Sequence, residues 1–392
     1  MDVFKGVSID PVEAVRTRPI TDIPERIIGC KSAPWDLWAK HYHYDDFWRH
    51  SDNTAHADNI QIPMLILSGW YDGDALGVQE TWRFLTKHDK PGRRIVLGPW
   101  PHNLNAWRDC MDLEFGDNAV DYDFDTRIIR WFDRYLKGIE NGEDQKPRAT
   151  YYVIGENQWH TSDEWMPSEA KLVNLYLDSG GRANSLHGDG RITLSPAKTG
   201  SDTYVYDPLF PCGGEGDDFD DGLVCPYRCN SRQLRSDVLC YDTPVLEQDV
   251  AIAGPLYAEI YASSSAVDTD FIVRVSDVDE RGIARNVSFN IIRAEFRKGF
   301  DKPELLTPGK VERYKMEMYF HGMVFRKGHK IRVDISSSEQ MESFPNTNTG
   351  VDPYTNPAPV KAVQTIYHGE DYPSHVKLPV LYGLPGCAAG EK

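Results

Sequence analysis

The stretch Ile62–Asn103 decides the fold of this chain, because it holds two short apolar runs that each end in a turn. It reads IPMLILSGWYDG over residues 62–73 and RIVLGPWPHN over residues 94–103. The run Met64–Leu67 has no polar alternation, which is typical of a strand buried on both faces of a parallel sheet. Between the runs, the amphipathic segment Leu76–His88 predicts a crossover helix. The stretch therefore predicts a strand–helix–strand unit.

Each of the two turns carries one side chain suited to acid–base chemistry, Asp72 in the first and His102 in the second. In α/β-hydrolases the catalytic triad runs Ser, then Asp or Glu, then His along the chain, with each member at the carboxyl end of a strand. Asp72 and His102 fit the second and third positions. We therefore expect Asp72 to orient the His102 imidazole and to stabilise its protonated form. The neighbouring Asp74 is interpreted as a cap of the helix that follows.

The first triad position, a serine in a Gly-x-Ser-x-Gly elbow, has no match upstream of Asp72. Gly6–Asp10 lacks the final glycine, and Ser68 lies inside a strand, where its side chain does not reach the elbow position. We therefore expect the nucleophile on a longer form of the chain or on a companion chain. Half a sheet would also leave an exposed apolar edge, which native proteins avoid, so the sequence predicts an N-terminally incomplete chain.

The rest of the chain divides into three regions by pattern. Residues 1–55 predict helices and loops, and the tryptophans of Pro34–Arg49 are interpreted as core packing or, alternatively, as the lining of an acyl pocket. Residues 56–168 alternate strand and helix, which is typical of a parallel sheet, and include a predicted amphipathic helix over Phe124–Lys137. Residues 169–392 contain many short strands between turns and predict a β-sandwich.

Composition restricts the possible partners and the location. The chain has 392 residues, of which 40% are hydrophobic and 26% charged, and its formal net charge is −17. Nucleic acids and anionic membranes both bind basic surfaces, so this charge argues against both as partners. No apolar stretch approaches the roughly 20 residues of a membrane-spanning helix, and Met1–Ile20 is too polar for a signal peptide. A cytoplasmic location is the default prediction.

The sequence predicts no metal ion and no cofactor. The seven cysteines are odd in number in a large chain, which argues against a disulfide scaffold. Cys225 and Cys229 are separated by three intervening residues, which is not a CxxC spacing, and lack a second pair, so a zinc site is disfavoured. The acidic stretch Gly213–Asp221 lacks the ligand order of a calcium loop and is interpreted as a solvated loop. Asp268 and Asp270 are interpreted as structural residues of a turn.

Several different short motifs are distributed along much of the chain. They are GWYDG at 69–73, GPWPHN at 98–103, DVLCY at 237–241, SSSAVDTDF at 263–271, SSS at 336–338, NTNTG at 346–350, YHG at 367–369 and PSHVKLP at 373–379. Together they resemble the cocaine esterase and X-Pro dipeptidyl-peptidase family. The resemblance implies part of a helical cap in residues 1–55, the C-terminal half of an α/β-hydrolase core in residues 56–168, and a jelly-roll β-sandwich in residues 169–392. Asp72 and His102 would be the triad acid and base, and the family's serine and oxyanion-hole tyrosine would precede this sequence.

The resemblance implies a serine hydrolase that cleaves an ester or amide bond through an acyl-enzyme. The small-molecule substrate would be an X-Pro peptide, an acyl ester, or a β-lactam or amino-acid ester, and the fold does not decide among them. The alternative is a non-catalytic protein whose jelly roll binds a carbohydrate or a protein. The sequence leaves two macromolecular partners open. One is a companion chain that carries the nucleophile, and the other is a further copy of this chain in a homo-oligomer.

Overall fold

The computed structural model describes residues 17–87, 92–212, 225–339, 343–352, 354 and 358–385. The segment Gly6–Asp10 and the acidic stretch Gly213–Asp221 lie outside these residues. Within them, none of the helices combines the length and the apolar character needed to cross a membrane.

The described N-terminal part consists of short helices, as the sequence predicted. They are α1 (Ile23–Ile28), α2 (Ala33–Lys40) and α3 (Asp46–Arg49). The prediction that the tryptophans pack in a core is wrong for two of them, because Trp38 is 46% and Trp48 is 37% exposed. Trp35 does pack, against Phe344 and Tyr354. No residue of α2 or α3 is buried, which means that none of the described elements covers the faces of these helices that carry Trp38 and Trp48.

A four-stranded sheet follows these helices. Its region contains β1 (Met64–Tyr71), α4 (Ala75–Thr86), β2 (Arg93–Pro101), β3 (Asp109–Cys110), β4 (Leu113–Glu114), α5 (Phe124–Lys137), β5 (Ala149–Val153) and β6 (Gln158–Ser162). The strand order is β1–β2–β5–β6, with β3 and β4 forming a separate hairpin. The first three strands run parallel, which confirms the α/β pattern, and β6 joins antiparallel to β5. Gly138 ends α5 in the left-handed conformation that glycine adopts without a steric penalty.

This α/β unit leaves apolar surface uncovered in two places. Among the described strands β1 pairs only with β2, so its other edge has no strand partner. On α5, Trp131 faces inward, whereas Ile129, Phe132 and Leu136 are 58%, 51% and 76% exposed. The exposed residues are spaced at i, i+3 and i+7, so they form a continuous stripe on one face of the helix. This stripe is called the outer face of α5 below.

The C-terminal part is a jelly-roll β-sandwich. Its elements are β7 (Lys171–Asp178), β8 (Arg191–Thr193), β9 (Thr199–Tyr206), α6 (Asn230–Gln233), β10 (Leu239–Asp242), β11 (Val250–Gly254), β12 (Tyr257–Ser264), β13 (Asp270–Val278), β14 (Ala284–Arg293), β15 (Glu312–Glu317), β16 (His321–Phe325), β17 (Lys330–Ser336), β18 (Ala362–Gly369) and β19 (His375–Tyr382). The described strands pair in the order β14-β13-β17-β10-β8-β7-β19-β12-β18-β9, with β11 and β15 joining at the side and β16 pairing with β11. Alternate residues of these strands fill one shared core.

The sandwich is joined to the carboxyl end of β1 and β5 by backbone pairing. The Ile154 amide, just after β5, donates to the Gly322 carbonyl at 2.9 Å, and the Val324 amide donates back to the Ile154 carbonyl at 2.8 Å. The Trp70 indole of β1 donates to the Tyr152 carbonyl at 2.9 Å and packs beside Gly322. These contacts place β16 directly behind the end of β1, where the candidate site lies.

Candidate active site

Two glycines bring β1 and β2 close together at the point where both strands end. A side chain at Gly69 would run into the backbone of Trp100, and one at Gly98 would run into the Trp100 ring. The ring is fully buried, and its indole donates to the Ala119 carbonyl at 2.7 Å. Because both positions lack a side chain, the turns after β1 and β2 approach each other over the buried Trp100. The motifs GWYD and GPWPH therefore have a packing reason for their glycines.

The structure brings Asp72 and His102 into contact. Tyr71 pairs in register with Pro101, so the next residue of each strand enters its turn at the same edge of the sheet. His102 Nδ1 lies 3.0 Å from Asp72 Oδ1. Asp72 is buried, with 5% of its surface exposed, whereas the His102 side chain is 73% exposed. The buried carboxylate holds one ring nitrogen and leaves Nε2 free to exchange a proton.

Asp72 is itself held by two further donors. The Ser68 hydroxyl donates to its Oδ2 at 3.1 Å, and the Asp74 amide donates to its Oδ1 at 3.1 Å. Sequence reasoning assigned no role to Ser68 beyond that of a strand residue. The only feature of the sequence that could have indicated this contact is the position of Ser68, four residues before Asp72. The serine is buried and its hydroxyl points to the carboxylate, so it serves as a support of Asp72.

The predicted role of Asp74 as a helix cap is wrong. Asp74 occupies the position before α4, but its side chain makes no capping hydrogen bond. Its backbone, at φ −84° and ψ 0°, lacks the extended conformation that a capping side chain normally needs. Its Oδ2 instead lies 3.6 Å from His102 Nδ1, with the side chain 80% exposed. The imidazole therefore faces one buried and one exposed carboxylate.

These carboxylates favour the protonated form of His102. The hydrogen bond to Asp72, then the charge of Asp72 and then that of Asp74, raise the pKa of His102 above its ordinary value of 6.5. This is the electrostatic arrangement that a general base requires, because the imidazolium formed by proton abstraction is stabilised where it forms.

The same three side chains place one ligating atom each within 4.8 Å of one another, so they would have room for a metal ion. The attraction between the His102 imidazole and the two carboxylates is enough to explain why these three side chains lie together, so the cluster does not require a metal ion. Cys225 and Cys229 do not join any cluster of metal-ligating groups among the described residues. Both cysteines are buried, and burial raises the pKa of the Cys229 thiol, which disfavours the thiolate that zinc needs.

Two sandwich residues support the Asp72 turn from behind. The Tyr319 hydroxyl donates to the Gly73 carbonyl at 3.3 Å. His321 is fully buried, stacks on Trp70 with ring centroids 5.8 Å apart and meets Tyr71 edge to face at 5.2 Å. Burial lowers the pKa of His321 to about 3, so this imidazole stays neutral and acts as an aromatic spacer. No local pattern in the sequence identifies either residue, because Tyr319 and His321 lie more than 200 residues from Asp72 along the chain.

Among the described residues, the hydrogen-bond partner of the His102 imidazole is the Asp72 carboxylate. No serine hydroxyl among these residues hydrogen-bonds to the imidazole, and Ser68 is committed to Asp72. The other serine considered from the sequence, Ser8, lies outside the described residues.

Comparison with known proteins identifies the family. Residues 141–377 match the X-Pro dipeptidyl-peptidase C-terminal non-catalytic domain, and residues 11–103 match the X-Pro dipeptidyl-peptidase S15 family. The chain belongs to the cocaine esterase and X-Pro dipeptidyl-peptidase family. The first match alone covers more than half of the chain and includes most of the sandwich, and the second ends one residue beyond His102.

Individual members of the family share most of this chain's length. The cocaine esterase of Rhodococcus sp. (strain MB1 Bresler) is 32% identical over 372 residues, which are 92% of this chain and 64% of that protein. A putative Xaa-Pro dipeptidyl-peptidase of Bacillus anthracis is 23% identical over 86% of this chain and 51% of its own length. The chain thus spans between half and two thirds of the length of these relatives.

Solved structures agree with the fold. The crystal structure of an aminopeptidase from a marine sediment Thaumarchaeota archaeon superposes with a TM-score of 0.82 at 25% identity, covering 95% of this chain and 64% of that one. An α-amino acid ester hydrolase superposes with a TM-score of 0.80 at 23% identity, covering 96% of this chain and 66% of that one. The second likeness supports the α/β-hydrolase and jelly-roll architecture only.

Proposed function

We propose that Asp72 and His102 are the acid and base of a serine-hydrolase triad that cleaves an ester or amide bond. The observation that carries the proposal is their contact across the carboxyl ends of two adjacent parallel strands, with Asp72 buried and His102 exposed. The similarity to an esterase and to a putative dipeptidyl-peptidase is consistent with this chemistry.

In this mechanism His102 Nε2 takes the proton of a serine hydroxyl as the serine oxygen attacks the substrate carbonyl. Asp72 keeps the proton of Nδ1 in place and stabilises the imidazolium. His102 then gives its proton to the leaving alcohol or amine, which departs and leaves an acyl-serine. A water molecule then attacks the acyl group as it loses a proton to His102. His102 returns this proton to the serine oxygen, so the acid is released and the serine hydroxyl is regenerated. The Ser68 hydroxyl and the Asp74 amide keep the Asp72 carboxylate in position throughout.

The proposal places the nucleophilic serine on a polypeptide segment outside the described residues, either in a longer form of the chain or on a companion chain. Two features favour such a segment. The outer edge of β1 lacks a strand partner among the described strands, although the strand is apolar, and an added strand would satisfy its backbone groups. The outer face of α5 is apolar and exposed.

The test is labelling with a fluorophosphonate, which reacts with serines that a working base activates. The purified chain and an extract of its source are treated in parallel, and the labelled serine is located by mass spectrometry. The proposal expects no label on the described residues. It expects label on a segment that carries Gly-x-Ser-x-Gly and that co-purifies with, or is continuous with, this chain.

The control is the same experiment with His102→Ala, which removes the base and is expected to abolish that label. A label that persists in His102→Ala would contradict the assignment of His102. Absence of label in both samples would contradict hydrolase activity and favour the alternative, in which the jelly roll acts as a binding module.

A further inference from the structure

A segment formed by residues 20–49, which include α1, α2 and α3, lies against the sandwich and is called the strap below. No residue of α2 or α3 is buried. The Thr21 hydroxyl donates to the Tyr354 carbonyl at 2.9 Å, and the Trp35 ring meets Phe344 edge to face at 5.9 Å. Because these helices bury no side chain, their attachment is weaker than that of a core element, and a single polar contact can decide whether the strap stays on the sandwich.

A polar contact of this kind is made by Tyr42, which follows α2. Its hydroxyl donates to one carboxylate oxygen of Glu295 and accepts from Arg293 Nη1 at 3.1 Å. The neighbouring His43 Nε2 lies 3.4 Å from the other Glu295 oxygen, and the His43 side chain is 52% exposed. Tyr42 thus covers Arg293 and Glu295, so release of the strap would open both of these groups to water.

Three buried carboxylates and one arginine form a cluster under this contact. Asp268, Asp270 and Glu295 are 2%, 2% and 5% exposed. Arg293 donates to Asp270 twice, at 2.9 Å and 3.1 Å. The Asn346 side-chain amide donates to Asp268 at 2.7 Å and to Asp270 at 2.9 Å, which holds these two acids side by side. The Glu295 backbone amide donates to the other Asp268 oxygen at 2.9 Å, so the acid under Tyr42 is joined directly to the Asp268 carboxyl group.

The charges of this cluster do not balance when all three acids are ionised, because Arg293 supplies one positive charge. Arg293 is paired with Asp270, whereas Asp268 forms no ion pair among the described residues. A buried acid without an ion pair binds a proton rather than remain charged. Burial, and then the charge of Asp270, raise the pKa of Asp268 to about 7. Tyr314 of β15 also faces Asp268, and burial raises the pKa of its hydroxyl, so Tyr314 stays neutral.

We propose that this cluster makes the attachment of the strap proton-dependent: the strap stays on the sandwich while Asp268 is protonated and is released when Asp268 ionises. Release admits water to Arg293 and Glu295, so an ionised Asp268 is better solvated in the released state than in the attached one. An acid whose pKa is higher in the attached state favours attachment at low pH, and this contribution is lost as the pH rises to about 7. The proposal concerns the strap and the sandwich alone and does not depend on the proposed hydrolase activity.

The experiment is hydrogen exchange of the full chain at about pH 6 and about pH 8, read by mass spectrometry for residues 20–49 and corrected for the intrinsic pH dependence of amide exchange. We expect the protection of the strap to fall about tenfold between the two, because one proton with a pKa of about 7 is lost on release. In Asp268→Asn, whose side chain stays neutral, protection should not change with pH. Equal protection at both pH values in the unsubstituted chain, or a pH dependence that persists in Asp268→Asn, would overturn the proposal.

Substitutions in the strap test the same contact without changing the buried cluster. Tyr42→Phe removes the hydroxyl that joins the strap to the cluster, and it is expected to lower the protection of the strap at low pH about tenfold, the effect of one hydrogen bond to a charged group. Tyr44→Phe is the matched control, because the Tyr44 hydroxyl donates to Asp52 in the same N-terminal part. His43→Gln removes the other titratable contact with Glu295 and should keep the pH dependence. Loss of the pH dependence in His43→Gln, or equal loss of protection in the two tyrosine variants, would contradict the proposal.

Discussion

Strand β13 of the sandwich and helix α5 of the α/β unit differ in how completely each buries its apolar residues. In the sandwich, strand β13 is almost entirely buried, and Phe271, its second residue, is 0% exposed. In the α/β unit, the outer face of α5 leaves Leu136 76% exposed, and β1 has a free edge among the described strands. Each large apolar side chain left in water forgoes about 1.5–3 kcal/mol of burial free energy. Within the described residues, the α/β unit thus presents an apolar helix face and an unpaired strand edge that are suited to contact with further polypeptide.

The candidate site lies where the two regions meet. Its reacting groups come from the less covered region, and its support comes from the well packed one, through Tyr319 and His321. A rigid support behind an exposed pair is what a catalytic constellation needs, because small displacements of the base lower the rate strongly.

The largest expected effect concerns the exposed half of the pair. In the form of the protein that carries the nucleophile, His102→Ala is expected to lower turnover of an ester substrate by about 10³-fold or more, since the general base is removed. The measurement is kcat/KM against an activated ester. A matched exchange of the exposed His187, which lies in the sandwich, should leave the rate unchanged. Turnover that persists in His102→Ala would contradict the role of His102 as general base and the assignment of catalysis to the α/β unit.

The second prediction compares one phenylalanine from each region. Phe271→Ala empties a site packed against Tyr314 at 4.8 Å, and it is expected to lower the free energy of unfolding by about 3–5 kcal/mol. Phe132→Ala changes a side chain that is 51% exposed, and it is expected to cost less than about 0.5 kcal/mol. Urea unfolding of both variants measures the difference. Similar losses would mean that the outer face of α5 is buried in the isolated chain.

Sequence reasoning located the pair because it depends on local patterns only. Continuous apolar runs predict parallel strands, and the carboxyl ends of adjacent parallel strands meet, so Asp72 and His102 were expected side by side. Asp74 was misinterpreted, since whether a side chain caps a helix depends on one backbone dihedral angle and on a competing histidine from another turn.

The strands and helices likewise separate into those that local sequence patterns predict and those that depend on distant contacts. The predicted alternation of strand and helix in residues 56–168 includes β5 at Ala149–Val153, whereas no pattern predicts β6, because Gln158–Ser162 is short, polar and only partly buried. The tryptophans of the N-terminal helices were expected in a core, and Trp38 and Trp48 are exposed. An amphipathic pattern predicts which face of a helix is apolar, and the packing partner of that face is a separate property of the tertiary structure.

The smallest expected effect is on association. Leu136→Lys replaces the most exposed apolar residue of the outer face of α5, and it should reduce self-association of the isolated chain with little change in stability. The control is Leu209→Lys, which alters a leucine that is 60% exposed in the sandwich. Light scattering at increasing protein concentration measures both variants. An equal reduction of self-association by the two substitutions would show that the outer face of α5 is no more adhesive than the exposed apolar surface of the sandwich.

The most direct test of the account is a proton NMR titration of His102 in the isolated chain, in Asp72→Asn and in Asp74→Asn. Asp72 and Asp74 raise the pKa of His102, so removing either charge should lower it, and Asp72→Asn should lower it more because its carboxylate is closer and hydrogen-bonded. His329, whose pKa is raised by Asp277, is the internal control and should not move. An unchanged pKa of His102 in Asp72→Asn would contradict the pairing on which the proposed function rests.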